Sequence, residues 1–87
     1  MNTTSVPTDS DLLRIIREAM TEVASQDKFQ HVSMATRLSS LGFDSLAAME
    51  VAAYLEDKLG LLLPDDRIAQ AISVSDLVVV IRGSMST

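Results

Sequence analysis

Ser45 is the residue of this chain best placed for covalent chemistry. It follows Gly42-Phe43-Asp44 and begins a stretch with helical periodicity, so its hydroxyl is expected in the first turn of a helix. Such a turn carries unpaired backbone N–H groups and the positive end of the helix dipole, which favour a negative group such as phosphate. Ser45 is therefore either only a residue that starts the helix, or a nucleophile, or a site that accepts a group.

Hydrolysis by Ser45 is disfavoured, because a serine nucleophile needs a neighbouring base, usually a histidine that a third group orients. His31 is the only histidine, it lies in a predicted loop, and the sequence Gly-x-Ser-x-Gly is absent. We therefore predict that the chain is not an enzyme and that a partner enzyme transfers a group to Ser45. Asp44 then serves as a helix cap or as part of what that enzyme recognises.

Composition and charge exclude several other classes of protein. The chain has no cysteine and its acidic pairs lack the spacing of a calcium loop, so we predict no metal site. The net charge of −5 disfavours binding to nucleic acid. No stretch is long and apolar enough for a membrane span, and the N-terminus does not resemble a signal peptide, so we expect a cytoplasmic protein.

The acidic excess is concentrated directly after Ser45. Residues 44–67 contain six acidic and two basic side chains, a net of −4, whereas the rest of the chain contains six and five, a net of −1. Such a run is ordinarily a solvated helix face. It also suits a docking surface for basic partners.

Hydrophobic periodicity predicts an all-α fold, a small four-helix bundle with three longer helices, one short helix and a long loop between the first two. The predicted helices span residues 9–25, 45–59, 65–71 and 74–82, and residues 1–8 and 84–87 are predicted to be flexible ends. The apolar stripe of the first helix is predicted to be Leu13, Ile16, Met20 and Val23. The long loop is predicted to be anchored by Val32, Leu38 and Leu41.

The second helix is predicted to bury one face, formed by Ala48, Val51, Ala52, Leu55 and Leu59. Gly60 suits the left-handed position that ends a helix, and the leucines at 61–63 are predicted to pack back on the core. Pro64 is expected to open the third helix. Ser73 and Asp76 form a capping box before the last helix, which Gly83 is predicted to stop.

This arrangement over residues 9–83, with Gly42-Phe43-Asp44-Ser45-Leu46 at its centre, resembles the acyl carrier proteins. The resemblance implies that Ser45 carries 4′-phosphopantetheine, which a phosphopantetheinyl transferase takes from coenzyme A and joins to the hydroxyl as a phosphodiester. The thiol of this arm would then hold acyl groups as thioesters and present them to partner enzymes. The chain would thus be a carrier rather than a catalyst.

The resemblance also implies a surface for partner recognition. Asp44, Leu46 and the acidic helix match that region of the family, with Glu50, Glu56 and Asp57 attracting basic side chains and Met49 and Ala53 making apolar contacts. The implied partners are the transferase, an acyl- or aminoacyl-loading ligase or transferase, and a ketosynthase or other downstream enzyme. We expect the chain to be a monomer.

Three versions of this function stay open on the sequence. Ala47 and Ala48 stand where many fatty-acid carriers have acidic or polar residues, which favours a discrete polyketide-type or other specialised carrier. A discrete aminoacyl or peptidyl carrier is the first alternative, although carriers of peptide synthetases often have histidine at the position of Asp44. A carrier-like interaction module without a prosthetic group is the second.

Overall fold

The computed structural model describes residues 7–26 and 28–85 of the 87-residue chain. It contains four α-helices, α1 (Asp9–Ala24), α2 (Ser45–Leu59), α3 (Asp65–Gln70) and α4 (Val74–Met85), and one turn of 3₁₀-helix at Leu38–Leu41. Within the described residues there is no β-strand, only an isolated antiparallel bridge between Arg37 and Ser73. The prediction of an all-α bundle with one short helix and a long loop is confirmed.

Side-chain caps mark the starts of α1, α2 and α4. Thr8 and Asp11 form a capping box at α1, in which each side chain accepts a hydrogen bond of 3.1 Å from the other residue's backbone N–H. Ser25 has a left-handed φ of 54° and ends α1 one residue before the predicted end. Ser73 and Asp76 form the predicted box at α4.

The core is built from aliphatic side chains of all four helices and two buried phenylalanines. Ile16 and Met20 of the predicted α1 stripe are buried, but Leu13 and Val23 are only half-buried, and Leu12 and Ala19 are buried instead. The buried face of α1, which packs against α2 and α4, is therefore rotated slightly from the predicted one. In α2 the predicted face is confirmed, with Leu59 half-buried at its end.

The segment after α2 corrects one prediction. Gly60 has the predicted left-handed φ of 68°, and Leu63 is buried with Leu61 half-buried. Leu62, which was also predicted to pack on the core, is 84% exposed. Pro64 is the residue before α3 rather than its first residue.

Gly83 does not stop the last helix, which continues to Met85. A glycine inside a helix costs about 1 kcal/mol relative to alanine, and neighbouring contacts outweigh that cost here. The Ser84 hydroxyl donates to the Val80 carbonyl at 3.0 Å, and Met85 packs against the core. Residues 1–6 and 86–87 of the predicted flexible ends lie outside the described residues.

No helix in the described part of the chain combines the length and the apolar character that a membrane span needs.

Candidate functional site

Ser45 is the first residue of α2 and is exposed. Within the described residues, its hydroxyl and the backbone N–H groups of Ser45 and Leu46 make no hydrogen bond. Asp44 is the N-cap: its carboxylate accepts from the Ala47 N–H at 2.9 Å, and its carbonyl accepts from the Ala48 N–H at 2.8 Å. The site therefore combines an accessible hydroxyl with two free backbone donors at the positive end of a 15-residue helix.

The backbone that leads into Ser45 is fixed by a tight turn at Gly42 and by the packing of two aromatic rings. Gly42 has a φ of 81°, a left-handed conformation that a residue with a side chain would rarely adopt. The Phe43 N–H donates to the Leu38 carbonyl at 3.1 Å. The Phe43 ring is buried against Phe29, with ring centroids 5.6 Å apart. Phe43 thus fixes the backbone two residues before Ser45 to the core.

The long loop before Ser45 is attached to the start of α4 by backbone hydrogen bonds. The Leu38 N–H donates to the Ile72 carbonyl at 2.9 Å, and the Ser75 N–H donates to the Met34 carbonyl at 2.9 Å. The predicted anchors Val32 and Leu38 are buried, and Leu41 is half-buried. These attachments keep the loop ordered although it is long.

Arg17 attaches the same loop to α1. Its Nε and Nη2 atoms donate to the Val32 carbonyl at 2.8 and 2.6 Å, and its side chain is half-buried. A charged donor pair on one carbonyl is stronger than a neutral hydrogen bond. This contact was not predicted, because Arg17 lies outside the predicted apolar stripe of α1 and was expected to face solvent.

A groove of about 400 Å³ opens beside Ser45, between the loop, α2 and α3. Its walls are mostly apolar, and Asp44, Ser39 and Ser45 supply its polar side chains. The lining residues are Leu38, Ser39, Phe43, Asp44, Ser45, Ala48, Ile68, Ala69, Ala71 and Ile72. A chain attached at Ser45 therefore begins at the edge of an apolar groove.

The predicted recognition residues lie along one side of α2, as their spacing of three or four residues requires. Leu46, Glu50, Ala53 and Asp57 are exposed, and Leu46 is 71% exposed. Met49 is half-buried and packs against the core, which leaves only part of it accessible to a partner.

Glu56 differs from the other acidic residues of α2, because its carboxylate is already engaged. It accepts a hydrogen bond of 2.8 Å from the Leu63 N–H and is half-buried. Lys58, the only basic residue of α2, lies 3.4 Å from the Glu18 carboxylate of α1. Glu50 and Asp57 are therefore the acidic side chains of this helix that stay available to a partner.

The other candidate groups are not gathered into a site. His31 is exposed in the loop, and the described residues contain no group of three or more potential metal ligands. The acids with shifted pKa values stand at the starts of α1 and α4. Hydrogen bonds from the Thr8 backbone and hydroxyl lower the pKa of Asp11, and those from the Ile72 and Ser73 backbone N–H groups lower the pKa of Asp76.

A family model and individual known proteins that match this chain point to the same family. Residues 10–81 match the family model described as a phosphopantetheine attachment site. The actinorhodin polyketide synthase acyl carrier protein of Streptomyces coelicolor is 32% identical over 74 residues, covering 82% of this chain and 86% of that protein. The acyl carrier protein of Helicobacter acinonychis is 33% identical over 67 residues, covering 77% and 86%.

Solved structures show the same fold. The actinorhodin apo acyl carrier protein from S. coelicolor matches with a TM-score of 0.76 at 31% identity, covering 97% of this chain and 96% of that one. Its holo form matches with a TM-score of 0.73 at 30% identity over the same shares of the two chains. The similarity extends over nearly the whole of both chains, so the fold agrees beyond the motif around Ser45.

Proposed function

This chain belongs to the acyl carrier proteins, which carry acyl groups on a covalent 4′-phosphopantetheine, and we propose that Ser45 is its attachment residue. The observation that supports Ser45 is the exposed and unbonded hydroxyl at the first position of α2. A transferase can reach this oxygen without opening the fold, and it supplies the base that the neighbourhood of Ser45 lacks. The Ser45 oxygen forms the new phosphodiester as the phosphoanhydride bond of coenzyme A breaks, adenosine 3′,5′-bisphosphate leaves, and the hydroxyl proton goes to the transferase.

The residues around Ser45 fit that group. The free N–H groups of Ser45 and Leu46 suit the negative phosphodiester, since helix starts favour anions. Asp44 is directed to the Ala47 N–H, so its carboxylate acts as a cap. The apolar groove beside Ser45 offers a surface along which the start of the arm can lie. When bound, the group supplies a terminal thiol that holds the acyl cargo as a thioester.

The exposed face of α2 is the proposed recognition surface for partner enzymes. Leu46 and Ala53 offer apolar contacts, and Glu50 and Asp57 offer unpaired negative charge. Charges at such a rim mainly raise association rates and orient the partner. Docking there is expected to be weak and sensitive to salt, which suits a carrier that must leave each enzyme in turn.

The proposed cargo is a polyketide-type acyl group, and ketosynthases and loading enzymes are the proposed partners. The support is the similarity to the actinorhodin carrier, whose solved forms include a 3,5-dioxohexyl derivative described as a triketide mimic. A discrete aminoacyl carrier is the alternative, and loading with an aminoacyl rather than an acyl group distinguishes the two. That the chain is non-catalytic, monomeric and cytoplasmic remains our prediction.

The direct test is incubation of the full chain with coenzyme A and a broad-specificity phosphopantetheinyl transferase, followed by measurement of intact mass. The wild-type mass should rise by one phosphopantetheine, and the mass of Ser45→Ala should not change. Folded wild-type protein that gains no mass would support the interaction module without a prosthetic group and contradict the proposal.

A further inference from the structure

A continuous series of hydrogen bonds joins the start of α4 to the backbone that leads into Ser45. The Asp76 carboxylate accepts from the Ile72 N–H at 2.8 Å. The Ile72 carbonyl accepts from the Leu38 N–H at 2.9 Å, and the Leu38 carbonyl accepts from the Phe43 N–H at 3.1 Å. Three consecutive bonds thus connect Asp76 to a residue that lies two positions before Ser45.

The residues that this series joins also line the groove beside Ser45. Leu38, Phe43 and Ile72 are all among its lining residues. Leu38 and Phe43 are buried, whereas the Ile72 side chain is 63% exposed, so packing holds Ile72 less firmly than the other two. Its backbone is instead held from both sides, at the N–H by Asp76 and at the carbonyl by Leu38. Asp76 therefore helps to fix one wall of the groove.

Asp76 differs in this respect from Asp11, the matching acid of the capping box at α1. Both carboxylates accept from the backbone N–H of the N-cap residue, Asp76 from Ser73 at 3.0 Å and Asp11 from Thr8 at 3.1 Å. The Thr8 carbonyl then accepts from the Leu12 N–H, so the series that begins at Asp11 continues inside α1. A charged acceptor strengthens its own hydrogen bond and polarises those that follow it. Only at Asp76 does this effect reach the loop before α2.

We propose that Asp76 is a positioning residue for the transfer of phosphopantetheine to Ser45. Through Ile72 and Leu38 it holds the backbone before Ser45 in the arrangement that presents the hydroxyl to the transferase. The inference rests on the proposed function, since this arrangement matters to transfer only if Ser45 accepts the group. Asp76 acts through the loop and not on the recognition face of α2, so its loss should slow transfer within the bound complex and leave docking unchanged.

The first test compares Asp76→Ala with Asp11→Ala in the steady-state transfer of phosphopantetheine to the full chain, at a temperature where both variants are folded. Asp76→Ala should lower kcat by about fivefold with the KM for the carrier unchanged, the effect of losing one hydrogen bond of ordinary strength from the reacting arrangement. Asp76→Asn, whose amide oxygen can still accept from Ile72, should recover most of this rate. Asp11→Ala is the matched control and should keep the wild-type kcat and KM.

The second test records the amide signals of the ¹⁵N-labelled chain before loading. Asp76→Ala should move the Leu38 and Phe43 signals upfield, as weaker hydrogen bonds do, and Asp11→Ala should leave them in place. If Asp76→Ala does not fold, Asp76→Asn should show smaller shifts of the same sign. Unmoved signals, an unchanged kcat, or an equal fall in kcat for Asp11→Ala would overturn the proposal. Wild type that accepts no group would refute the attachment function itself, so the two failures are distinguishable.

Discussion

The carboxylate of Asp44 accepts a hydrogen bond from the backbone N–H of Ala47 at 2.9 Å, so the residue before Ser45 caps the helix that Ser45 begins. Two roles of Asp44 can therefore be tested apart, capping of α2 and recognition by the transferase. Asp44→Ala should lower the free energy of unfolding by about 1 kcal/mol, whereas Asp44→Asn, which can still cap, should change it little. Urea unfolding measures both variants.

The loading rate tests the second role of Asp44, recognition by the transferase. Asp44→Asn keeps the cap and removes the charge, so slower transfer to a stable Asp44→Asn chain would support recognition of the carboxylate. Equal transfer rates for Asp44→Asn and wild type would limit Asp44 to its capping role.

Arg17 should be important for the order of the loop that leads to Ser45. Arg17→Met removes both hydrogen bonds to the Val32 carbonyl and is expected to cost about 1–3 kcal/mol of stability. Hydrogen exchange of the amides in residues 28–43 should become faster. Arg14→Met is the matched control, because Arg14 is exposed and lies 4.0 Å from its partner Asp11. Similar exchange in the two variants would contradict this role.

Asp76 should make the stability of α4 depend on pH. The Ile72 and Ser73 N–H groups lower its pKa in the folded state, so the folded chain binds fewer protons than the unfolded chain. The resulting stabilisation is complete above the unfolded pKa, near pH 4, and is lost as the pH falls through the lower folded pKa. Asp76→Asn should be less stable than wild type at pH 7, because the amide oxygen still accepts a hydrogen bond but lacks the negative charge that the Ile72 and Ser73 N–H groups favour.

Unfolding free energies of wild type and Asp76→Asn, measured between pH 7 and pH 2.5, test the sign of this effect. The difference between the two should shrink at acid pH. A constant difference would show that the charge of Asp76 does not contribute.

The two unpaired acids of α2 should contribute to docking and not to folding. Each of the single variants Glu50→Lys and Asp57→Lys should slow association with the transferase at low salt, and the effect should diminish as salt is raised. Glu22→Lys, an exposed reversal on α1, is the matched control, because it changes the net charge by the same amount as either α2 variant. The rate of phosphopantetheine transfer at subsaturating carrier measures the effect, and equal rates for the α2 variants and the control would contradict it.

Local signals in the sequence predicted α2 from end to end, because Asp44 caps its start and Gly60 ends it. The same reasoning failed at Gly83, since a glycine ends a helix only where the chain turns into the left-handed conformation. The prediction that Leu62 packs on the core was wrong because the sequence does not distinguish three consecutive leucines. The hydrogen bonds that Glu56 accepts determine which of them faces outward. That decision depends on tertiary structure and not on periodicity.

The exposed position of Ser45 at the start of α2 was predictable from the sequence, whereas the contacts that hold the preceding loop in place were not. The Phe29–Phe43 ring contact and the bond from Arg17 to Val32 join residues that are 14 and 15 positions apart across a loop. No spacing rule for helices or turns reports contacts of that kind. Glu56 was predicted as a partner contact, and the structure shows in addition that its carboxylate stabilises the turn after α2.

The most direct test of the account is localisation of the attached group by fragment-ion mass spectrometry after reaction with coenzyme A and the transferase. The phosphopantetheine should be found on Ser45, should be absent from Ser45→Ala, and should be retained by Ser39→Ala, whose exposed serine lines the same groove. Modification of any other residue, or a folded wild-type chain that stays unmodified, would contradict the assignment of Ser45.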